Sequence, residues 1–226
     1  MAYNYLGLVN DVAGRLNETP LAGSNFEVAT GFYTTIREAI NTAVRDINQR
    51  HFQWPFNHQK ETLDMEAGVM RYAAPPNMKY VDYSTFRLRR DESLSVARGR
   101  PLKELSYSEY LSRFADEEYE TDTSKGEQPS YVTQTPDGEI AFAPMPDKAY
   151  EVDYEYYSYP VDLIEATDVP NIPERFRNVI IDGAMYHCYM FRDNVEQAGM
   201  AFNRFESGLK QMRLLLITDS AYFRGV

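Results

Sequence analysis

Ala149-Tyr150-Glu151-Val152-Asp153-Tyr154-Glu155-Tyr156-Tyr157 is the stretch from which the fold can be read. Successive side chains of an extended segment point to opposite sides, so Tyr150, Val152, Tyr154 and Tyr156 share one face while Glu151, Asp153, Glu155 and Tyr157 share the other. A one-residue slip would drive the acids inward, so the pattern predicts a half-buried strand with an aromatic inner face and an acidic, wet outer face.

Working outward, the same period of two, broken by turn-forming residues, predicts strands at 61–65, 69–73, 80–89, 101–105, 130–134 and 139–142. Thr135-Pro136-Asp137-Gly138 predicts a hairpin turn, with proline presetting φ and glycine accepting a positive one. Ser106 and Glu109 have the spacing of a capping box and predict a short helix ending near Ala115. The acidic, polar stretch 116–128 reads as a mobile loop.

Beyond this region the period becomes helical. Leu6, Val9, Ala13 and Leu16 form one stripe. Phe32, Ile36, Ile40, Ala43, Val44 and Ile47 form another, on a helix expected to start at Ser24 or Asn25 and to end near Arg50, before Trp54-Pro55. Ile172-Pro173-Glu174 opens a helix reaching Arg192, its expected inner stripe being Phe176, Val179, Ile180, Ala184, His187 and Met190 or Phe191. A last helix carries Val195, Ala198, Ala201, Phe202, Phe205, Leu209, Met212 and Leu216. The expected fold class is therefore α+β, a helical bundle built from N- and C-terminal helices with an inserted antiparallel β module. The expected organisation is a helical domain of 1–55 and 165–217, a β-rich insertion of 56–164 that projects from it, and a tail of 218–226.

The chain has 226 residues, 43% of them apolar, enough for a packed core. Its 34 acidic against 23 basic residues give a net charge of −11, which excludes a surface that grips nucleic acid all over. The one cysteine, Cys188, excludes a disulfide framework and a cysteine-built zinc site, as expected of a chain assembled in reducing cytosol. No apolar run approaches a membrane span, and Met-Ala-Tyr-Asn opens the chain without the features of a signal peptide, so no membrane partner is expected. The 18 tyrosines and 12 phenylalanines exceed what the core needs and point to interfaces.

Motifs for chemistry are missing. His51, His58 and His187 are scattered, and His187 and Cys188, adjacent on a helix, diverge by about 100° and cannot easily share an ion. Serine-nucleophile elbows and glycine-rich phosphate loops are absent. The acids 116–122 lack the glycine of an EF-hand loop. Glu151, Asp153 and Glu155 beside their tyrosines offer an alternative, a tyrosine-rich carbohydrate-binding or glycoside-cleaving domain, although no feature singles out one carboxyl as the acid. No catalytic, cofactor-binding or metal-binding residue and no cofactor is assigned.

Charge is unevenly placed. Arg87, Arg89, Arg90, Arg98, Arg100 and Lys103 face only Asp91 and Glu92 in their stretch, whereas Glu109, Asp116, Glu117, Glu118, Glu120 and Asp122 face only Arg113 in theirs. Opposite flanks suit head-to-tail association of identical copies, with Arg87, Arg89, Arg90, Arg98 and Arg100 meeting Glu117, Glu118 and Glu120. Intramolecular pairing or independent solvation accounts for the pattern equally well, and a phosphate-binding use of the arginines is a third reading.

Three segments carry a resemblance: Asn48-Gln49-Arg50 at the end of an amphipathic helix, the run from Phe142-Ala-Pro-Met-Pro through Tyr150 to Pro160-Val-Asp-Leu163, and the Ala, Phe and Leu spacing of 194–212. In their order the chain, from about Phe32 to Met212, resembles the head-to-tail adaptor proteins of short-tailed bacteriophages, of the tail tubular protein A type. The resemblance implies a virion component, assembled in the host cytoplasm, whose copies form a dodecameric ring beneath the portal protein. It also implies that the ring continues the DNA channel and meets the tail nozzle or tail tube protein below. An acidic duct suits passive contact with DNA, since basic walls would hold each phosphate they met. On this reading Tyr222, Phe223 and Arg224 anchor a tail that docks on the portal.

Overall fold

The computed structural model describes residues 2–51, 53–89, 99–120 and 122–217. Chain order is α1 (Tyr5–Arg15), α2 (Phe32–Arg50), β1 (His58–Met65), β2 (Arg71–Tyr72), β3 (Met78–Leu88), β4 (Arg100–Pro101), β5 (Lys103–Glu104), α3 (Tyr107–Phe114), β6 (Tyr131–Gln134), β7 (Ile140–Ala143), β8 (Tyr150–Ser158), α4 (Arg177–Phe191) and α5 (Val195–Leu216). The described residues form an α+β fold of two compact units, one within Met1–Asn57 and Tyr159–Val226, the other within His58–Ser158.

In the helical unit, Asn4 caps α1 by accepting the Gly7 N–H at 2.9 Å, and the helix buries Leu8, Val9, Val12 and Ala13. The second helix begins at Phe32, later than the expected Ser24 or Asn25. Gly31 adopts φ +68°, which no helix contains, and residues 23–25 make only one 3₁₀ turn. Arg37 donates to the carbonyls of Phe26 and Ala29, holding that approach in a non-helical shape. Past Arg50 the chain turns extended, and buried Trp54 donates its Nε1–H to the Ile47 carbonyl at 2.8 Å.

The inner surface of α4 departs from expectation. Val179, Ile180 and Ala184 are buried, but so are Ile181, Met185 and Cys188, whereas His187 is half-buried and Met190 and Phe191 are exposed. The cause is that α4 packs against both α2 and α5, so its buried surface wraps most of the way round. Gly183 permits this: a Cβ there would lie 2.9 Å from the Ala43 Cβ and 3.0 Å from the Phe205 ring. On α5, Ala198, Ala201, Phe205, Leu209 and Met212 are buried, while Val195 at the first turn and Phe202 are exposed.

The β unit holds two sheets of strand order β1-β8-β3-β4 and β2-β7-β6-β5. β8 is central, antiparallel to β1 (Met65 opposite Tyr150, His58 opposite Tyr157) and to β3. Its inner residues Val152, Tyr154 and Tyr156 join Phe86 and Leu88 of its own sheet and Val132, Ile140 and Phe142 of the other in one core, as the alternation predicts. Tyr154 stacks on Phe86 with ring centres 4.8 Å apart. The far side of β7 packs under α3 through Ala141, Ala143, Tyr110 and Met145.

Two expectations for this unit are corrected. The strand expected at 101–105 is two strands in two sheets. β4 pairs with β3, and β5 pairs with β6 in the unit's one parallel ladder among the described residues, because buried Leu102 between them donates its N–H to Phe86 while Lys103 turns to Ser130. The acidic stretch 116–128 is held by specific bonds and not loosely solvated. It forms 3₁₀ turns at Ala115–Tyr119 and Thr123–Lys125, and Arg71 holds Glu118 in a two-pronged pair at 2.8 and 2.9 Å. The expected hairpin is present, with Gly138 at φ +88° and its N–H bonded to the Thr135 carbonyl at 3.0 Å. Ser106 caps α3 by accepting the Glu109 N–H.

Candidate functional site

The charged residues singled out by sequence all belong to the β unit, apart from Arg90 and Arg98, which lie outside the described residues together with Tyr222, Phe223 and Arg224. Arg89, just past β3, reaches across the acidic face of β8. It donates to Asp153 at 2.9 Å, to Glu151 at 2.6 Å and to the Thr62 hydroxyl at 3.0 Å. On the same face Glu155 receives His58 at 2.9 Å and Lys60 at 3.1 Å. The face is therefore a ladder of acids held by Arg89, Lys60 and the His58 ring.

This pairing sets the chemistry of the acids. Burial raises the Asp153 pKa, but hydrogen bonds from Arg89 and Thr62 outweigh it and leave the carboxyl below the usual range. Glu155 is likewise pushed up by burial and brought below its ordinary value by His58 and Lys60. A glycoside-cleaving site needs one carboxyl with a raised pKa to protonate the leaving group, and these two are shifted the opposite way.

The acidic segment is also engaged. Glu118 accepts from Arg71 and from the Tyr110 hydroxyl, and these bonds override burial to keep its carboxyl below the usual value. Glu117 accepts the Met145 N–H at 2.9 Å, and Glu120 pairs with Lys125. Arg100 donates to the neutral amide of Gln128 at 3.2 Å, and among the described residues neither it nor exposed Arg87 has an acidic partner. Arg100 and Glu117, one from each segment, line the same cleft of about 410 Å³, together with Lys103, Phe114, Lys125 and Tyr131.

The lone cysteine and His187 lie in the helical unit. Burial pushes the Cys188 thiol up to about 12, so it stays protonated, and His187 sits 3.4 Å from Asp46 at the unit's edge. Among the described residues no group of His, Cys, Asp and Glu could hold a metal ion, and no helix is long and apolar enough to cross a membrane.

Sequence reasoning missed the segment 159–172. It has neither helix nor strand, yet the Asn41 side chain donates its N–H to the Leu163 carbonyl at 2.9 Å and accepts the Leu163 N–H at 3.0 Å. Arg45 holds Asp162 at 2.8 Å, and the Asp168 carboxylate accepts the N–H groups of Ile164 and Glu165 at 2.7 and 2.8 Å. Beforehand only 160–163 had drawn notice, as part of the family resemblance.

These features describe a chain with folded surfaces and paired charges. A family model described as SU10 adaptor protein matches residues 3–225, across both units. The chain belongs to the SU10 adaptor protein family. SU10 adaptors are structural proteins of bacteriophages, and the likeness to head-to-tail adaptors read from residues 32–212 agrees with this membership. No curated protein matches this SU10 adaptor.

Proposed function

We propose that the chain is a head-to-tail connector of a bacteriophage virion. Identical copies form a dodecameric ring, which joins the portal protein above to the nozzle or tube of the tail below and continues the DNA channel. The observation that carries this reading is family membership across nearly the whole chain. Two physical features support it. A net charge of −11 suits a duct through which phosphates must slide without being held. The β8 acids are held by Arg89, His58 and Lys60, which favours a structural role for that face.

Within the ring, the flanking charges retain a role in registration of neighbours. Exposed Arg87 and Arg100 offer positive charge without an acidic partner among the described residues; Arg89, Glu118 and Glu120 are already bound inside their own subunit and contribute through the shape they hold. The segment containing Tyr222, Phe223 and Arg224 is proposed as the portal-binding tail.

The test is to mix purified chain with the portal protein of the same virus and examine the product by native mass spectrometry and electron microscopy. Rings capping the portal are expected. A chain that stays single and unattached overturns the reading.

A further inference from the structure

The segment 159–172 and the outer side of the α4–α5 pair are both parts of the helical unit, and they are chemically complementary. Loop residues Val161, Ile164 and Val169 are 74%, 71% and 59% exposed, an unusual run of apolar side chains facing water on one short stretch. The backbone beneath them is fixed by Asn41, Arg45 and Asp168 and by hydrogen bonds from the N–H groups of Tyr5 and Leu6 to the Asp168 and Ala166 carbonyls at 2.7 and 3.0 Å. A loop already held in one shape gives up little conformational freedom when it docks. Its charge is of one sign: Asp162, Glu165 and Asp168, with no basic residue from 159 to 172. Glu165 has no basic partner among the described residues.

The opposite character appears in a cleft of about 460 Å³ between α4 and α5. Its floor is low because Gly208 lies against Val179, where a Cβ would come within 2.9 Å of the valine methyl. Leu215, 68% exposed, adds an apolar side chain to the lining. Arg175 and Arg204 stand on the rim, and the cleft's acid, Asp182, is nearer Arg15 at 3.1 Å than Arg204 at 3.7 Å. The cleft thus combines apolar walls with surplus positive charge.

We propose that the loop 159–172 of one copy seats in the α4–α5 cleft of the next, Ile164 entering the apolar floor and Glu165 meeting Arg204. The occupant is a second copy of this chain because each copy carries both halves once, matched in charge and in apolar character, and two different patches on one molecule join head to tail. This contact rests on the ring reading above and supplies it with an anchor in the helical unit, since rigid apolar residues seated in a desolvated pocket carry most of an interface's binding energy.

Two experiments test it on the full chain mixed with portal protein. Ile164→Cys and Gln211→Cys are combined in one chain, where native Cys188 is buried. Oxidation is expected to give a ladder of covalent multimers on a denaturing gel, absent for either single variant. Separately, Glu165→Arg and Arg204→Glu should each weaken assembly by about tenfold by bringing like charges together, and the double swap should recover most of the loss. Circular dichroism of each variant should match the native protein, since both positions are on the surface. Normal rings from both charge swaps, together with no ladder from the cysteine pair, overturn the loop–cleft contact while leaving the ring intact. Cross-links to the portal in place of a second copy overturn it as well. A native chain that never self-associates overturns both readings.

Discussion

Arg71 and Glu118 stand 47 positions apart and form the most enclosed charged contact of the β unit, with the Tyr110 hydroxyl as third member. Glu118 has its folded pKa depressed, so its contribution to stability is fully present above its unfolded value of 4.5 and is lost as pH falls through the lower folded value. Glu118→Gln should therefore lower stability at neutral pH by about 1–3 kcal/mol, the usual loss for a hydrogen bond to a charged group. As pH falls below 4.5 the gap between the variant and the native protein should narrow, because the unfolded chain takes up its proton before the folded one does. Urea titrations at pH 7 and pH 3.5 check this, and an unchanged gap between the two proteins at both values refutes it. Cys188 allows a second measurement. With its thiol held protonated by burial, it should react with a thiol reagent only as fast as the helical unit opens, and the rate should rise steeply in denaturant.

At the scale of single elements, the features legible in sequence are those whose causes are local. β8 follows from alternation, the turn at Gly138 from a glycine where φ must be positive, and the start of α3 from Ser106. Ser106→Ala should cost about 1 kcal/mol by freeing a helix N–H, and a thermal melt should register the loss. What could not be read has distant causes. The acids 116–120 look solvated until Arg71, Lys125 and the Met145 N–H arrive to bind them. The stripe of α4 was misplaced because two helices cover it, and Gly183, which admits both, has no meaning within its own helix. Gly183→Ala should cost about 1–3 kcal/mol, because the added methyl meets Ala43 and Phe205 in a packed interior. The loop 159–172 was invisible for the same reason: its bonds come from Asn41, Arg45, Tyr5 and Leu6, residues more than a hundred positions earlier.

At the scale of the whole chain, the connector reading puts function in surfaces, and the sequence could indicate it only through overall charge, surplus aromatics and likeness to a family. Removing residues 221–226 should abolish attachment to the portal and leave the circular dichroism spectrum unchanged; retained attachment would remove Tyr222, Phe223 and Arg224 from the interface. Salt offers a complementary measurement. If acids line the passage, DNA affinity of the assembled ring should be weak and should not strengthen as salt is lowered, the reverse of a basic clamp.

The five residues from Arg100 to Glu104 belong to both sheets of the β unit, with Leu102 as the crossing point. Tension along this segment is consequently shared between two ladders, and neither can peel away while the other stays intact. Stretched between its ends in an optical trap, the isolated β unit should rupture in one step. Loss of one sheet at a lower force, as a separate plateau, would mean that the crossing transmits no load.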